Sequence, residues 1–231
     1  MKKLGILGGM GPAASAEFVT RLIQQTPATK DQDHIPFVLW SDPRIPDRST
    51  SMQNGDDLPL PWLEDGIIGL KKSGCDCIVI PCNSAHFWYS QLTMLSVPII
   101  HIVDSIATEL KEINITNQTI GIIGTKGTIE SGLYQYRLNK QGWYCIAPDK
   151  AEMDFFVQPA IDLIKAGKIV ESQSLLIKVI DSLIYRGAKA IVLGCTELPL
   201  AIQIKHQEGI PIVNSIDSLV SAVIKKRSFV S

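Results

Sequence analysis

Short runs of apolar and β-branched residues alternate along this chain with stretches whose apolar positions recur every three or four residues. The runs at 4–7, 36–40, 77–80 and 99–102 predict strands, and the stretches at 15–25, 62–73, 86–95 and 104–112 predict helices. Between them, the polar segment 41–61 shows no apolar period and is expected as one long loop, long enough to be a candidate lid. The same grammar restarts at residue 119, with strands at 119–123, 143–146 and 190–193 and helices at 131–141, 152–166 and 171–186. Nearly all-apolar strands separated by helices predict parallel βαβ units, buried on both faces.

The restart is a repeat. Lys72-Ser-Gly-Cys-Asp-Cys-Ile-Val-Ile-Pro-Cys82 has the pattern of Tyr185-Arg-Gly-Ala-Lys-Ala-Ile-Val-Leu-Gly-Cys195: a helix-ending glycine, an apolar strand, then cysteine, at an offset of 113 residues. Pro98 in Val97-Pro-Ile-Ile-His and Pro211 in Ile210-Pro-Ile-Val-Asn are separated by the same 113, and Gly5-Ile-Leu-Gly8 and Gly121-Ile-Ile-Gly124 by 116. Three landmarks in one order at nearly one offset indicate two copies of a half-domain. The expected fold is therefore α/β, with two pseudo-symmetric half-domains, each a parallel sheet flanked by helices, and an active site in the cleft between them. The first half is assigned to 1–100 plus 210–231 and the second to 101–209. Functional groups are expected at the carboxyl ends of the strands.

Composition narrows the class without fixing the chemistry. The 231 residues are 45% hydrophobic and 19% charged, and 22 basic against 23 acidic side chains give a net charge of -1. Neither nucleic acid nor an anionic membrane has an electrostatic footprint to meet. Lys225-Lys-Arg227 is expected as the solvated last turn of a helix. The start, Met-Lys-Lys followed by an apolar run, has the outline of a secretory signal, but Gly8, Gly9, Gly11 and Pro12 interrupt it, so it is taken as a first strand and its glycine turn. No run of about 18 apolar residues suggests a membrane span. Five irregularly spaced cysteines fit a reducing cytoplasm better than a disulfide framework.

Candidate chemistry gathers where strands end. Val79-Ile-Pro-Cys-Asn-Ser-Ala-His86 places a cysteine directly after an apolar strand, and the repeat places Cys195 at the equivalent point. A thiolate and a thiol on opposite faces of a bound carbon can remove a proton from one side and return one to the other, inverting a stereocentre. Each cysteine precedes an expected helix start, which favours a reachable thiolate. Two other patterns in the sequence fit less well. Gly9-Met-Gly-Pro-Ala-Ala14 fits G-x-G-x-x-A, but Asp31 and Asp33 precede the second strand where a dinucleotide site needs an acid at its end. Cys75, Cys77, Cys82 and His86 have zinc-like content, but the first two lie in or beside a strand, whose side chains alternate faces, so Cys75, Cys77 and Cys145 are taken as core thiols and no metal is assigned.

The chain resembles the aspartate/glutamate racemases that work without pyridoxal phosphate, and among them the aspartate racemases. The resemblance runs through Gly5-Ile-Leu-Gly-Gly-Met-Gly-Pro12, Asp31-Gln-Asp-His34, Ile45-Pro-Asp-Arg48, Pro81-Cys-Asn-Ser-Ala-His86, Gly127-Thr-Ile-Glu-Ser-Gly132, Lys165-Ala-Gly167 and Gly194-Cys-Thr-Glu197. Ser84 stands where the family's first motif has threonine. The resemblance implies catalytic Cys82 and Cys195, with no cofactor. It implies an α-carboxylate held by the Met10 and Thr125–Thr128 turns and by Asn83, Ser84, Ala85 and Thr196, with Arg48 and Lys165 as cations for a second carboxylate. Glu197 takes the place of a histidine found in glutamate racemases, beside Cys195. A homodimer acting on a small amino acid, aspartate first, is also implied. A non-enzymatic amino-acid sensor on the same scaffold is the competing class.

Overall fold

The structure is a computed structural model that describes residues 1–228. The chain forms two compact units, Met1–Ser105 together with the segment from Ile216, and Ile106–Ser215. In the first unit β1 (Leu4–Gly8), β2 (Phe37–Ser41), β3 (Cys77–Val79) and β4 (Ile99–Ile100) form a parallel sheet in the order β2-β1-β3-β4. In the second, β5 (Thr119–Ile123), β6 (Tyr144–Ile146), β7 (Ala190–Leu193), β8 (His206–Gln207) and β9 (Ile210–Asn214) run in the order β6-β5-β7-β9-β8, and only the β8–β9 pair is antiparallel. With the short β8 set aside, the second order repeats the first.

The repeat extends to individual contacts. Gly5 pairs with Ile78 and Gly121 with Ile191, and in both pairs the glycine gives up its side-chain space to the same two partners. A Cβ on Gly5 would lie 2.5 Å from Ile78 Cδ1 and 3.2 Å from Leu70 Cβ; on Gly121 it would lie 2.7 Å from Ile191 Cδ1 and 3.2 Å from Leu183 Cβ. Leu70 and Leu183 are again 113 residues apart. Helices Leu60–Lys72 and Ile169–Tyr185 therefore approach their central strands in one way, and the missing Cβ lets them.

Several expectations change in the structure. Residues 210–214, grouped above with the first half, hydrogen-bond to β7 and so complete the second sheet, because β9 takes there the place that β4 takes in the first. The 41–61 segment is not one loop. Helix Arg48–Asn54 occupies its middle, started by Asp47, whose carboxylate accepts from the Thr50 N–H at 2.8 Å, and stopped by Gly55 at φ 70°. That helix buries only Ser51, so it leaves no apolar period to find. The helix expected at 86–95 is a 3-10 turn, Ser84–Trp88, followed by Tyr89–Thr93. The 131–141 stretch narrows to Leu133–Asn139, with a separate short helix Lys126–Glu130 before it. β2 lies at the sheet edge and leaves Phe37 and Leu39 partly exposed, where a strand buried on both faces was expected. In the last turn of helix Ser215–Ser228, Arg227 is not simply solvated: its Nη1 donates to the Asp33 carbonyl. No helix among the described residues is long and apolar enough to cross a membrane.

Candidate active site

In the first unit the chain leaves β3 through Ile80 and Pro81 and turns tightly at Cys82, whose N–H donates to the Ile80 carbonyl at 2.7 Å. Cys82, Asn83, Ser84 and Ala85 are all buried. The turn is held from behind by His86, itself buried. The Ile102 N–H donates to His86 Nε2 at 3.3 Å, which makes that nitrogen an acceptor and puts the ring proton on Nδ1. Nδ1–H then donates to the Cys82 carbonyl at 2.9 Å. His101 and Tyr89 pack edge to face beside it, their ring centroids 4.6 Å apart. His86 is thus a structural histidine placed at the candidate base.

At the carboxyl end of β1, Gly9 adopts φ 94° and donates its N–H to Ser15 Oγ at 2.9 Å, while Ser15 Oγ donates to the Gly11 carbonyl at 2.9 Å. This pins the turn that carries buried Met10. Met10, Ile45, Cys82 and Ala85 belong to one apolar cluster, and helix Arg48–Asn54 packs against the Ser84–Trp88 turn. Arg48 opens that helix. Its Nη1 donates to the carbonyls of Ile45 at 3.0 Å and Pro46 at 2.9 Å, whereas its buried Nε has no partner among the described residues. The guanidinium is thus fixed on one edge with donor capacity remaining on the rest.

The second unit repeats the plan with different parts. After β7 the Gly194 N–H donates to the Ile123 carbonyl at 2.6 Å, and a Cβ on Gly194 would lie 2.9 Å from Tyr134 Cε2. Tyr134 is fully buried, and desolvation pushes its phenol well above the ordinary tyrosine range, so it stays neutral. Next come Cys195, Thr196 and Glu197, all buried. The Cys195 thiol donates to Glu197 Oε2 at 2.9 Å, and the Thr196 hydroxyl donates to the same oxygen at 3.5 Å. After β5, Thr125 caps helix Lys126–Glu130: its Oγ1 accepts from the Thr128 N–H at 3.3 Å and lies 3.0 Å from the Thr128 hydroxyl.

The structure thus brings Met10, Arg48, Cys82, Asn83, Ser84 and Ala85 to the carboxyl ends of strands in one unit, and Thr125, Thr128, Cys195, Thr196 and Glu197 to the equivalent ends in the other. Lys165 differs, being the exposed last residue of helix Gln158–Lys165. The remaining cysteines are unsuited to proton transfer. Burial raises the thiols of Cys75 and Cys77 above their ordinary value and pushes that of Cys145 up to about 12. One signal was missed in the sequence: Pro148-Asp149-Lys150 follows β6 as Pro46-Asp47-Arg48 follows β2, and in each the aspartate caps the helix that the cation begins.

A family model described as Asp/Glu/Hydantoin racemase matches residues 7–223 of this sequence. The chain belongs to that family. Its membership makes it an amino-acid racemase in coarse class. This racemase is 30% identical to the broad specificity amino-acid racemase RacX of Bacillus subtilis over 226 residues, 96% of each chain. The structure of the Picrophilus torridus aspartate racemase superposes with a TM-score of 0.86 at 30% identity, covering 99% of this chain and 95% of that one. The glutamate racemase isoform RacE1 of Bacillus anthracis shares the fold, with a TM-score of 0.70 at 20% identity over 99% and 82% of the two chains.

Proposed function

We propose that the protein racemises acidic amino acids, aspartate foremost, by a two-base mechanism in which Cys82 and Cys195 exchange the α-proton. The observation that carries this reading is the placement of two buried cysteines at repeat-equivalent points, each one turn beyond the strand that pairs with its unit's central strand. One cysteine, as thiolate, takes the α-proton; the other, as thiol, delivers its own proton to the opposite face of the same carbon. The substrate's α-carboxylate must be held while negative charge develops beside it, a task for fixed donors. Asn83, Ser84 and Ala85, with Thr196, Thr125, Thr128 and the Met10 turn, supply backbone and side-chain groups for it.

Arg48 is assigned the second carboxylate. Its unpartnered buried Nε supports this, because a guanidinium with spare planar donors suits bidentate carboxylate recognition. Lys165 is assigned the auxiliary cation. The mechanism draws its acid and base from the chain and invokes no cofactor. The reading further assigns a cytoplasmic homodimer with 41–61 as its closing segment. A broader substrate range is the second reading, and the 30% identity to RacX over nearly the whole chain favours it.

The test is exchange of the α-hydrogen in heavy water, followed by proton NMR and chiral chromatography on a panel of amino acids without added pyridoxal phosphate or metal. Aspartate should exchange fastest and yield both enantiomers. Equal rates across neutral, basic and acidic substrates would replace the aspartate assignment with the broad one; binding without exchange would leave only a sensor.

A further inference from the structure

We propose that Glu197 sets the resting protonation of the cysteine pair, keeping Cys195 as the thiol and leaving Cys82 as the thiolate that begins each turnover. The assignment rests on the two-cysteine reading and adds to it a starting state and a positioning residue. Cys195 and Glu197 are 4% and 7% exposed, so water competes little for the 2.9 Å thiol–carboxylate hydrogen bond. Loss of the thiol proton would remove that donor and set a thiolate against a carboxylate at the same distance, two like charges in a low-dielectric setting.

Tyr134, which packs against Gly194, is held neutral by burial and adds no charge beside Cys195. In the first unit the position equivalent to Glu197, at the offset of 113, is Ser84. Cys82 therefore has a neutral hydroxyl residue where Cys195 has an acid, and its own carbonyl accepts from His86 Nδ1–H. The step balances without any co-reactant. The Cys82 thiolate forms an S–H bond with the α-proton, and the Cys195 S–H bond breaks as its proton joins the opposite face. After release, Cys82 is a thiol and Cys195 a thiolate beside Glu197, and the transfer of one proton from Cys82 to Cys195 restores the resting state.

The experiment is limiting iodoacetamide labelling of the full-length, substrate-free protein at neutral pH, with the Cys82 and Cys195 peptides followed by mass spectrometry. The two residues are nearly equally exposed, 5% and 4%, so the ratio reports thiolate content rather than access. Cys82 should label faster by about tenfold or more, the discrimination one hydrogen bond to a charged group supports. Glu197→Gln should raise the Cys195 rate toward that of Cys82 without changing the Cys82 rate, and Glu197→Asp should restore part of the protection. Equal rates in the unmodified protein, or a Cys195 rate unmoved in Glu197→Gln, would overturn the proposal. Should Glu197→Gln not fold, the ratio in the unmodified protein decides alone. Racemisation persisting in Cys82→Ala or Cys195→Ala would instead defeat the two-cysteine reading, with the labelling ratio unaffected.

Discussion

After β3 the chain turns through Cys82, Asn83 and Ser84, with an imidazole behind the turn; after β7 it turns through Cys195, Thr196 and Glu197, with a phenol ring behind it. The scaffolds under the two turns are far more alike than the turns. Both central strands place a glycine opposite an isoleucine and beneath a leucine, the isoleucines and the leucines each 113 residues apart and the glycines 116. The contrast shows which constraints survive duplication. A helix that must approach a sheet leaves few choices of side chain, so the packing stays symmetric. The groups around the cysteines carry no such steric demand and are free to differ in charge.

The comparison can be broken most directly at the cysteines. Cys82→Ala and Cys195→Ala should each lower kcat/KM for aspartate racemisation by about 10³-fold, within the range a positioned acid or base supplies. If only one substitution matters, the halves are not partners in proton transfer. Next in size is the cation pair that opens the equivalent helices. Arg48→Gln should cost about 10²-fold in kcat/KM for aspartate while sparing substrates without a second carboxylate. Lys150→Gln should change activity by about twofold or less, because that exposed side chain is already paired with Asp154. Equal losses at both positions would make Lys150 a second recognition residue.

The scaffold offers the converse test. Gly5→Ala and Gly121→Ala should destabilise their units by similar amounts, about 1–3 kcal/mol each from overpacking, measured by denaturant unfolding. A large difference would mean that one half relaxes where the other does not. The smallest expected effect lies in the turn after β2, where the hydrogen bond from Arg44 holds the Asp42 carboxyl at about 2. Arg44→Gln should let it rise toward the usual value near about 4, visible by NMR titration. Because the folded value is depressed, what the pair contributes to stability is present above about pH 4 and is lost as pH falls toward 2.

Much of this was legible in the chain. The strands at 119–123 and 190–193, the two cysteine motifs and the offset of 113 required only hydrophobic periodicity and self-comparison. Helix Arg48–Asn54 was not legible, since a two-turn helix that buries one serine has no apolar stripe; its marks are the Asp47 cap and Gly55. Assigning 210–214 to the first half came from locating a boundary by the repeat alone, whereas strand pairing is set by which sheet edge is left open. The Pro-Asp-cation echo escaped notice because extra residues between β1 and this motif in the first half lower its offset from 116 to 102.

The sequence by itself determined the alternation of strands and helices, the duplication and the positions of two cysteines at strand ends, because each of these is a pattern of residue types along the chain. Only the tertiary structure decided which neighbours those cysteines have. That His86 carries its proton on Nδ1, that Cys195 gives its hydrogen bond to Glu197, and that Cys145, expected in the core but only half-buried, still has its thiol pushed up to about 12 all depend on burial and on groups brought together by folding. Proton affinity is a property of surroundings, and surroundings are what a linear pattern leaves out.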